Sequence, residues 1–231
     1  MKKLWALFFS LLFLLACSKP KEMFVLAGQS NAGPLRDTLA YHYKNLTGKE
    51  VYIIQCAKPG SALDAKAQTK DWGNWSPNGD VLDKAFDEID KRLSIFYPPW
   101  NKEKTIKVLI WSQGENDGEA IGKGLLTPQE YREDLKSLIS AFREKYGSSL
   151  PFIIIETGRH ATCKECDEGY AIVRKIQQEV ATEDPNTYIG YSETEDFIER
   201  GWLKDPVHYN GEALNDIGEK VAKFIVENKI N

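Results

Sequence analysis

The chain has 231 residues, 42% hydrophobic, 28% charged and 11% aromatic, which supplies one core and excludes collagen-like, low-complexity and strongly disordered classes. Thirty Lys plus Arg against 34 Asp plus Glu give a net charge of −4, and no Lys/Arg-rich block of the kind that tracks a phosphate backbone stands out. A nucleic-acid partner is therefore not expected.

At the N-terminus, Lys2 and Lys3 precede a run over residues 4–16 that is apolar except for Ser10. As a helix that run spans about 20 Å, short of the roughly 30 Å hydrocarbon core, so it reads as a signal h-region. Its end, Leu14-Leu15-Ala16-Cys17, resembles a bacterial lipoprotein signal. That resemblance implies cleavage before Cys17, acylation of its thiol and a lipid-anchored domain in the bacterial envelope, with Ser18 favouring the outer membrane. The alternatives are an ordinary secretory signal or an uncleaved anchor. The expected layout is a signal over 1–16, a tether over 17–22 and one domain over 23–231.

Past the tether, residues 23–27, 51–55, 106–111, 152–156 and 187–191 read as strands, several of them nearly continuous apolar runs, as in parallel sheets covered on both faces. Between them, Val81, Leu82, Ala85, Phe86, Ile89 and Leu93 have helical spacing. Thr127, Pro128 and Glu130 form a capping-box start for a helix whose stripe is Tyr131, Leu135, Leu138, Ile139 and Phe142, with Gly147 as terminator. Ile172, Ile176 and Val180 mark another helix, and Asn210 caps a last one carrying Leu214, Ile217, Val221, Phe224 and Ile225. Residues 59–80 and 114–124 read as irregular excursions. Strands alternating with helices predict an α/β protein, a three-layer α/β/α sandwich on a mainly parallel five-stranded sheet. Ligands of such folds bind at the strands' carboxyl ends.

Three histidines exist, His42, His160 and His208. In Asp205-Pro206-Val207-His208, an acidic oxygen three positions earlier can hold one ring nitrogen and leave the other as a general base, although this spacing alone also suits an incidental polar loop. Ser30 follows the first strand in Gly28-Gln29-Ser30-Asn31, where its hydroxyl can be exposed and its own N–H can meet a developing oxyanion. It could equally cap the next helix.

Together these blocks resemble the SGNH hydrolase superfamily, particularly its carbohydrate-esterase and sialate O-acetylesterase-like branch. Phe24-Val25-Leu26-Ala27-Gly28-Gln29-Ser30-Asn31 is similar to the nucleophile block of that branch. Trp111-Ser112-Gln113-Gly114-Glu115-Asn116-Asp117 is similar to its W-x-Q-G-E-x-D block, and Asp205-Pro206-Val207-His208 to its D-x-x-H block. The resemblance implies the flavodoxin-like SGNH fold and a serine esterase that removes O-acetyl groups from carbohydrates, such as xylan or sialic acid. It makes Ser30 the nucleophile, His208 the base and Asp205 its orienting acid. It assigns the oxyanion hole to the Ser30 N–H, Gly60 and the Gln113 amide, with Asn116 as the alternative amide because Gly114-Glu115-Asn116-Asp117 also fits the wider superfamily's G-x-N-D. No cofactor or metal is implied, and the absent G-x-S-x-G elbow disfavours an α/β-hydrolase.

Trp72 and Trp75, in the excursion 59–80, are candidate sugar contacts or, equally, pins of a long loop. Glu115 and Asp117 read as supports of the catalytic loops rather than as a glycosidase pair. Cys163 and Cys166 are a candidate disulfide, with free thiols or a metal site joined by His160 and Cys56 as alternatives. A non-catalytic glycan-binding lipoprotein is the competing function.

Overall fold

The computed structural model describes residues 22–97 and 106–230. The expected signal and Cys17 lie outside the described residues. Five strands, β1 (Glu22–Gly28), β2 (Val51–Gln55), β3 (Val108–Ser112), β4 (Phe152–Ile155) and β5 (Thr187–Tyr191), form one sheet in the order β2-β1-β3-β4-β5. Every neighbouring pair is parallel.

The strands are apolar on both sides because both faces are covered. Met23, Val25 and Ala27 of β1 face one core cluster, and Phe24 and Leu26 the other. The first cluster takes α2 (Asp80–Phe96), α3 (Glu115–Gly122), α4 (Pro128–Tyr146) and α5 (Lys164–Glu183), while the second takes α1 (Leu35–Thr47) and α6 (Gly211–Glu227). Right-handed crossovers require this division. The step from β1 to β2 runs one way across the sheet and the later steps run the other, so α1 must lie opposite α2, α4 and α5. The reversal sits between β1 and β3, which makes that point of the sheet's carboxyl edge the natural ligand crevice.

All five expected strands are present, β3 beginning two residues later than expected. The capping box at Thr127 and Glu130 is formed, Gly147 ends α4, and the Asn210 side chain accepts from the Ala213 N–H to start α6. Two helices differ from expectation. Residues 115–122 of the supposed irregular stretch 114–124 form α3, a two-turn helix whose Gly118 and Gly122 weaken its propensity and let it pack closely on α5. Helix α1 shows only a sparse buried stripe of Leu35, Leu39 and Tyr43 among polar residues. Among the described residues no helix is long and apolar enough to cross a membrane.

Candidate active site

At the carboxyl end of β1 the chain turns at Gly28, whose φ is +127° and whose missing side chain makes room for β3: a Cβ there would sit 2.0 Å from the Ser112 carbonyl oxygen. The Gln29 N–H donates to that carbonyl (3.0 Å) and the Lys58 N–H to the Gly28 carbonyl (2.9 Å), so the turn is locked to the loops after β3 and β2. Ser30 stands at its tip. Helix α1 is preceded by Pro34 and has no side-chain cap, so Ser30 does not serve as its N-cap.

The His208 Nε2 lies 2.9 Å from Ser30 Oγ across 178 positions of sequence. On the ring's other side, Nδ1 lies 2.9 and 2.8 Å from the two Asp205 oxygens. Asp205 Oδ1 also accepts the backbone N–H of Val207 (3.0 Å) and His208 (2.9 Å), closing the four-residue turn on itself. Burial alone would raise the Asp205 carboxyl, but those two N–H groups and the imidazole outweigh it and hold the group below the ordinary carboxylate value. A neutral imidazole in this arrangement donates from Nδ1 to Asp205 and accepts the Ser30 proton at Nε2. His42 is bonded to Asn215 instead, and His160 accepts the Cys163 N–H.

Ser30 and Gly60 both line the cleft. Neither the Ser30 N–H nor the Gly60 N–H has an acceptor among the described residues. The two candidate amides separate. Gly114, at φ +146°, swings the chain from β3 into α3, leaving Gln113 beneath the turn and bringing Asn116 to the surface of the cleft. Gln113 is 1% exposed, its nitrogen donates to Asp117 Oδ2, and it does not line the cleft. Of the two expected amides, Asn116 therefore lines the cleft and Gln113 lies beneath it. Asn116 Nδ2 donates to the Gly60 carbonyl (3.0 Å) and the Thr69 hydroxyl (3.3 Å), and its Oδ1 accepts from Gln29 (3.2 Å).

Glu115 and Asp117 hold the loops. Asp117 is fully buried and accepts the backbone N–H of Leu63 and Asp64, 2.9 Å each, which fixes the segment following Gly60. Burial pushes its carboxyl up to about 6, against those two bonds and Gln113. Glu115 accepts from Asn31 Nδ2 at 2.7 Å, and burial raises its carboxyl as well. The same Asn31 side chain donates to the Val207 carbonyl (3.1 Å) and accepts the Tyr209 N–H (3.2 Å), gripping the chain on both sides of His208. Gln29 and Asn31 tie the site's loops together, and sequence reasoning left both without a role. Their signal was their adjacency to Ser30, but their partners are more than 80 positions away.

The hydroxyl opens into a cleft of about 480 Å³ lined by Trp72, Pro59, Glu119, Tyr170 and Val207 besides the residues above. Trp72 is 41% exposed and packs against Gly60. Trp75 is a correction. It is 0% exposed, its Nε1 donates to Ser61 Oγ (2.8 Å), its ring meets Trp111 edge-on and it does not line the cleft, so it pins the loop to the core. Cys163 and Cys166 are disulfide-bonded at the start of α5. The free Cys56 lies apart after β2, its thiol pushed up to about 12 by burial, so the conceivable zinc set is not assembled.

A family model described as "Carbohydrate esterase, sialic acid-specific acetylesterase" matches residues 35–227. The chain belongs to this family. The match begins after Ser30, so the link between hydroxyl and imidazole in this esterase rests on the geometry above. Solved structures similar to the esterase include a protein from Arabidopsis thaliana with 16% identity and a TM-score of 0.66, covering 90% of this chain and 99% of that one. An acetylxylan esterase from Geobacillus stearothermophilus, solved as a catalytic mutant, is 9% identical with a TM-score of 0.60 over 91% and 95% of the two chains. An enzyme from the metagenome of Lake Arreo is 11% identical with a TM-score of 0.59 over 91% and 96%. At these identities the likeness bears on the fold alone. No curated protein matches the chain significantly.

Proposed function

We propose that this carbohydrate O-acetylesterase works through an acyl-serine intermediate, with Ser30 as nucleophile, His208 as general base and then acid, and Asp205 as the group that orients the imidazole. The observation that carries this reading is the 2.9 Å contact of His208 Nε2 with Ser30 Oγ, backed by the Asp205 bond to Nδ1. His208 takes the hydroxyl proton as Ser30 Oγ attacks the acetyl carbonyl, and returns it to the departing sugar oxygen. A water deprotonated by His208 then releases acetate. Asp205, held ionised, stabilises the imidazolium without taking its proton.

The oxyanion is received by the N–H groups of Ser30 and Gly60 and by the Asn116 amide, whose exposed 3.3 Å bond to Thr69 gives way to substrate. Loss of one such donor typically costs about 2.7–4 kcal/mol. Acetylated xylan and acetylated sialic acid are the candidate substrates, with Trp72 as the aromatic contact.

Acetate release from acetyl esters by wild type, with a fall of at least about 10³-fold in kcat for Ser30→Ala, is the expected result. Near-normal turnover by the variant removes Ser30 from the role, and sugar binding without acetate release by wild type points to a binding module instead.

The Cys17 thiol, directly after the apolar run, supports a lipid anchor in a bacterial envelope, of the outer-membrane type by Ser18. Replacing Cys17 should move the protein from the membrane to the soluble fraction. Unchanged membrane retention defeats the anchor.

A further inference from the structure

We propose that the Cys163–Cys166 disulfide is a thiol–disulfide exchange site, addressed by a dithiol reductant, whose opening lowers the turnover of the esterase. The bridge joins positions three apart, so it removes little freedom from the unfolded chain and adds little to global stability. Its two sulfurs are unequally placed. Cys166 is 2% exposed on the buried face of α5, whereas Cys163 is half-buried and flanked by exposed Ala161, Thr162, Lys164 and Glu165. Cys163 is the N-cap of α5, and its Sγ accepts the Cys166 N–H (3.3 Å). A thiolate at either sulfur therefore forms beside the amide groups and positive dipole end of the helix, which favour negative charge. Glu165 and Asp167 oppose it in the same turn, but Asp167 is paired with Arg159 and also accepts the His160 N–H. Exchange begins with a thiolate of the dithiol attacking the accessible Cys163 Sγ, so that the S–S bond breaks and Cys166 leaves as thiolate. The second thiol then attacks the reductant's own sulfur in the mixed disulfide, closing a disulfide in the reductant and releasing Cys163. Two electrons pass to the protein, and the dithiol's two protons end on its cysteines.

The bond sits where two supports of the catalytic site meet. The loop from β4 to α5 leads into Cys163, and its Ala161 N–H donates to the Pro206 carbonyl (2.9 Å), inside the turn that carries Asp205 and His208. His160 Nδ1 accepts the Cys163 N–H (3.1 Å), so this loop is bound up to the first cysteine. On the other side, Gly122 at the end of α3 lies so close to the start of α5 that a Cβ there would stand 2.0 Å from the Glu165 carbonyl oxygen. One turn past Cys166, Tyr170 lines the cleft. With the bridge closed, the loop and the first turn of α5 are one covalent unit that holds the catalytic turn on one side and the seat of α3, hence Asn116, on the other. Opening it leaves only hydrogen bonds and the Arg159–Asp167 pair to hold the same parts. A displacement of about 1 Å at a catalytic group can cost about 100-fold in rate.

The test treats the full chain with dithiothreitol, measures kcat on 4-nitrophenyl acetate before and after, and follows hydrogen exchange at the Ala161 amide. The reduced protein should stay folded by circular dichroism, exchange that amide about threefold or more faster and lose about threefold or more in kcat, both recovering on reoxidation. A variant carrying Cys163→Ala and Cys166→Ala should match reduced wild type and ignore the reagent. In Cys166→Ser, glutathione disulfide should cap Cys163 about tenfold or more faster than it caps Cys166 in Cys163→Ser, with peptide masses telling either from Cys56. An unchanged kcat on reduction overturns the proposal. So does equal capping of the two sulfurs, and so does unfolding on reduction, which makes the bridge purely structural. Absence of turnover in both redox states is a different result: it overturns the acetylesterase reading, and exchange at Ala161 together with the capping rates then decides the proposal.

Discussion

Asn116 and Gln113 stand three positions apart in one motif, and their side chains do different work. Asn116→Ala should lower kcat by about 10²–10³-fold with little change in KM, the mark of an interaction made mainly in the transition state. Gln113→Ala instead leaves Asp117 short of a partner in the core, so it should cost about 1–3 kcal/mol of stability with a smaller kinetic loss. Steady-state kinetics and urea unfolding of both variants separate the two effects, and the opposite pattern would return the donor role to Gln113. The letters alone did not decide this pair. Both fit known patterns, and the choice lies in the backbone turn at Gly114. The two tryptophans have the same lesson: spacing brought both into the loop, but Trp75 is consumed by a hydrogen bond to Ser61 while Trp72 remains at the mouth. The hydrophobic pattern marked the strand end before Ser30, while Asp205 and His208 were singled out by their D-x-x-H spacing ahead of the last helix.

Helix α3 carries Glu115, Asn116, Asp117 and Glu119 into the site, and its own position depends on α5. Gly169 of α5 lies against the Gly118 carbonyl so closely that a Cβ there would meet the oxygen at 1.8 Å. Alanine suits a helix better than glycine, yet Gly169→Ala should destabilise the fold by about 1–3 kcal/mol and lower kcat, since backbone cannot step aside as a side chain can. Thermal unfolding and turnover measured together check this; a neutral or stabilising alanine would mean that the helices separate without cost. This dependence explains why α3 was not legible. Eight residues with two glycines have no local reason to be helical, and the reason arrives from a helix more than 40 positions later. By contrast, α4 was legible to its first residue because its capping box, Pro128 and apolar stripe are all local.

Across the whole molecule the parallel order could be anticipated, since apolar strands alternating with amphipathic helices admit few other topologies. What could not be anticipated is the electrostatic cost of the edge they create. Glu156, immediately after β4, is buried with Gln178 as the one side chain among the described residues that donates to its carboxylate, and burial raises it from 4.5 to about 7. A carboxyl raised on folding favours the folded state fully below its unfolded value and loses that contribution as pH rises through the folded one. Wild type should therefore lose up to about 3 kcal/mol between pH 4.5 and 8 relative to Glu156→Gln, measured by urea unfolding at both ends. Parallel curves would show that Glu156 is not the responsible group. The common direction of the strands has one more effect. β1 opens at Glu22, shortly after the proposed acylated cysteine, and runs about 20 Å before delivering Ser30 at the opposite rim. Under the proposed anchor, the end of β1 nearer the cysteine and the mouth of the cleft lie at opposite rims of the sheet, an arrangement suited to polymers arriving from the aqueous side rather than to the lipids.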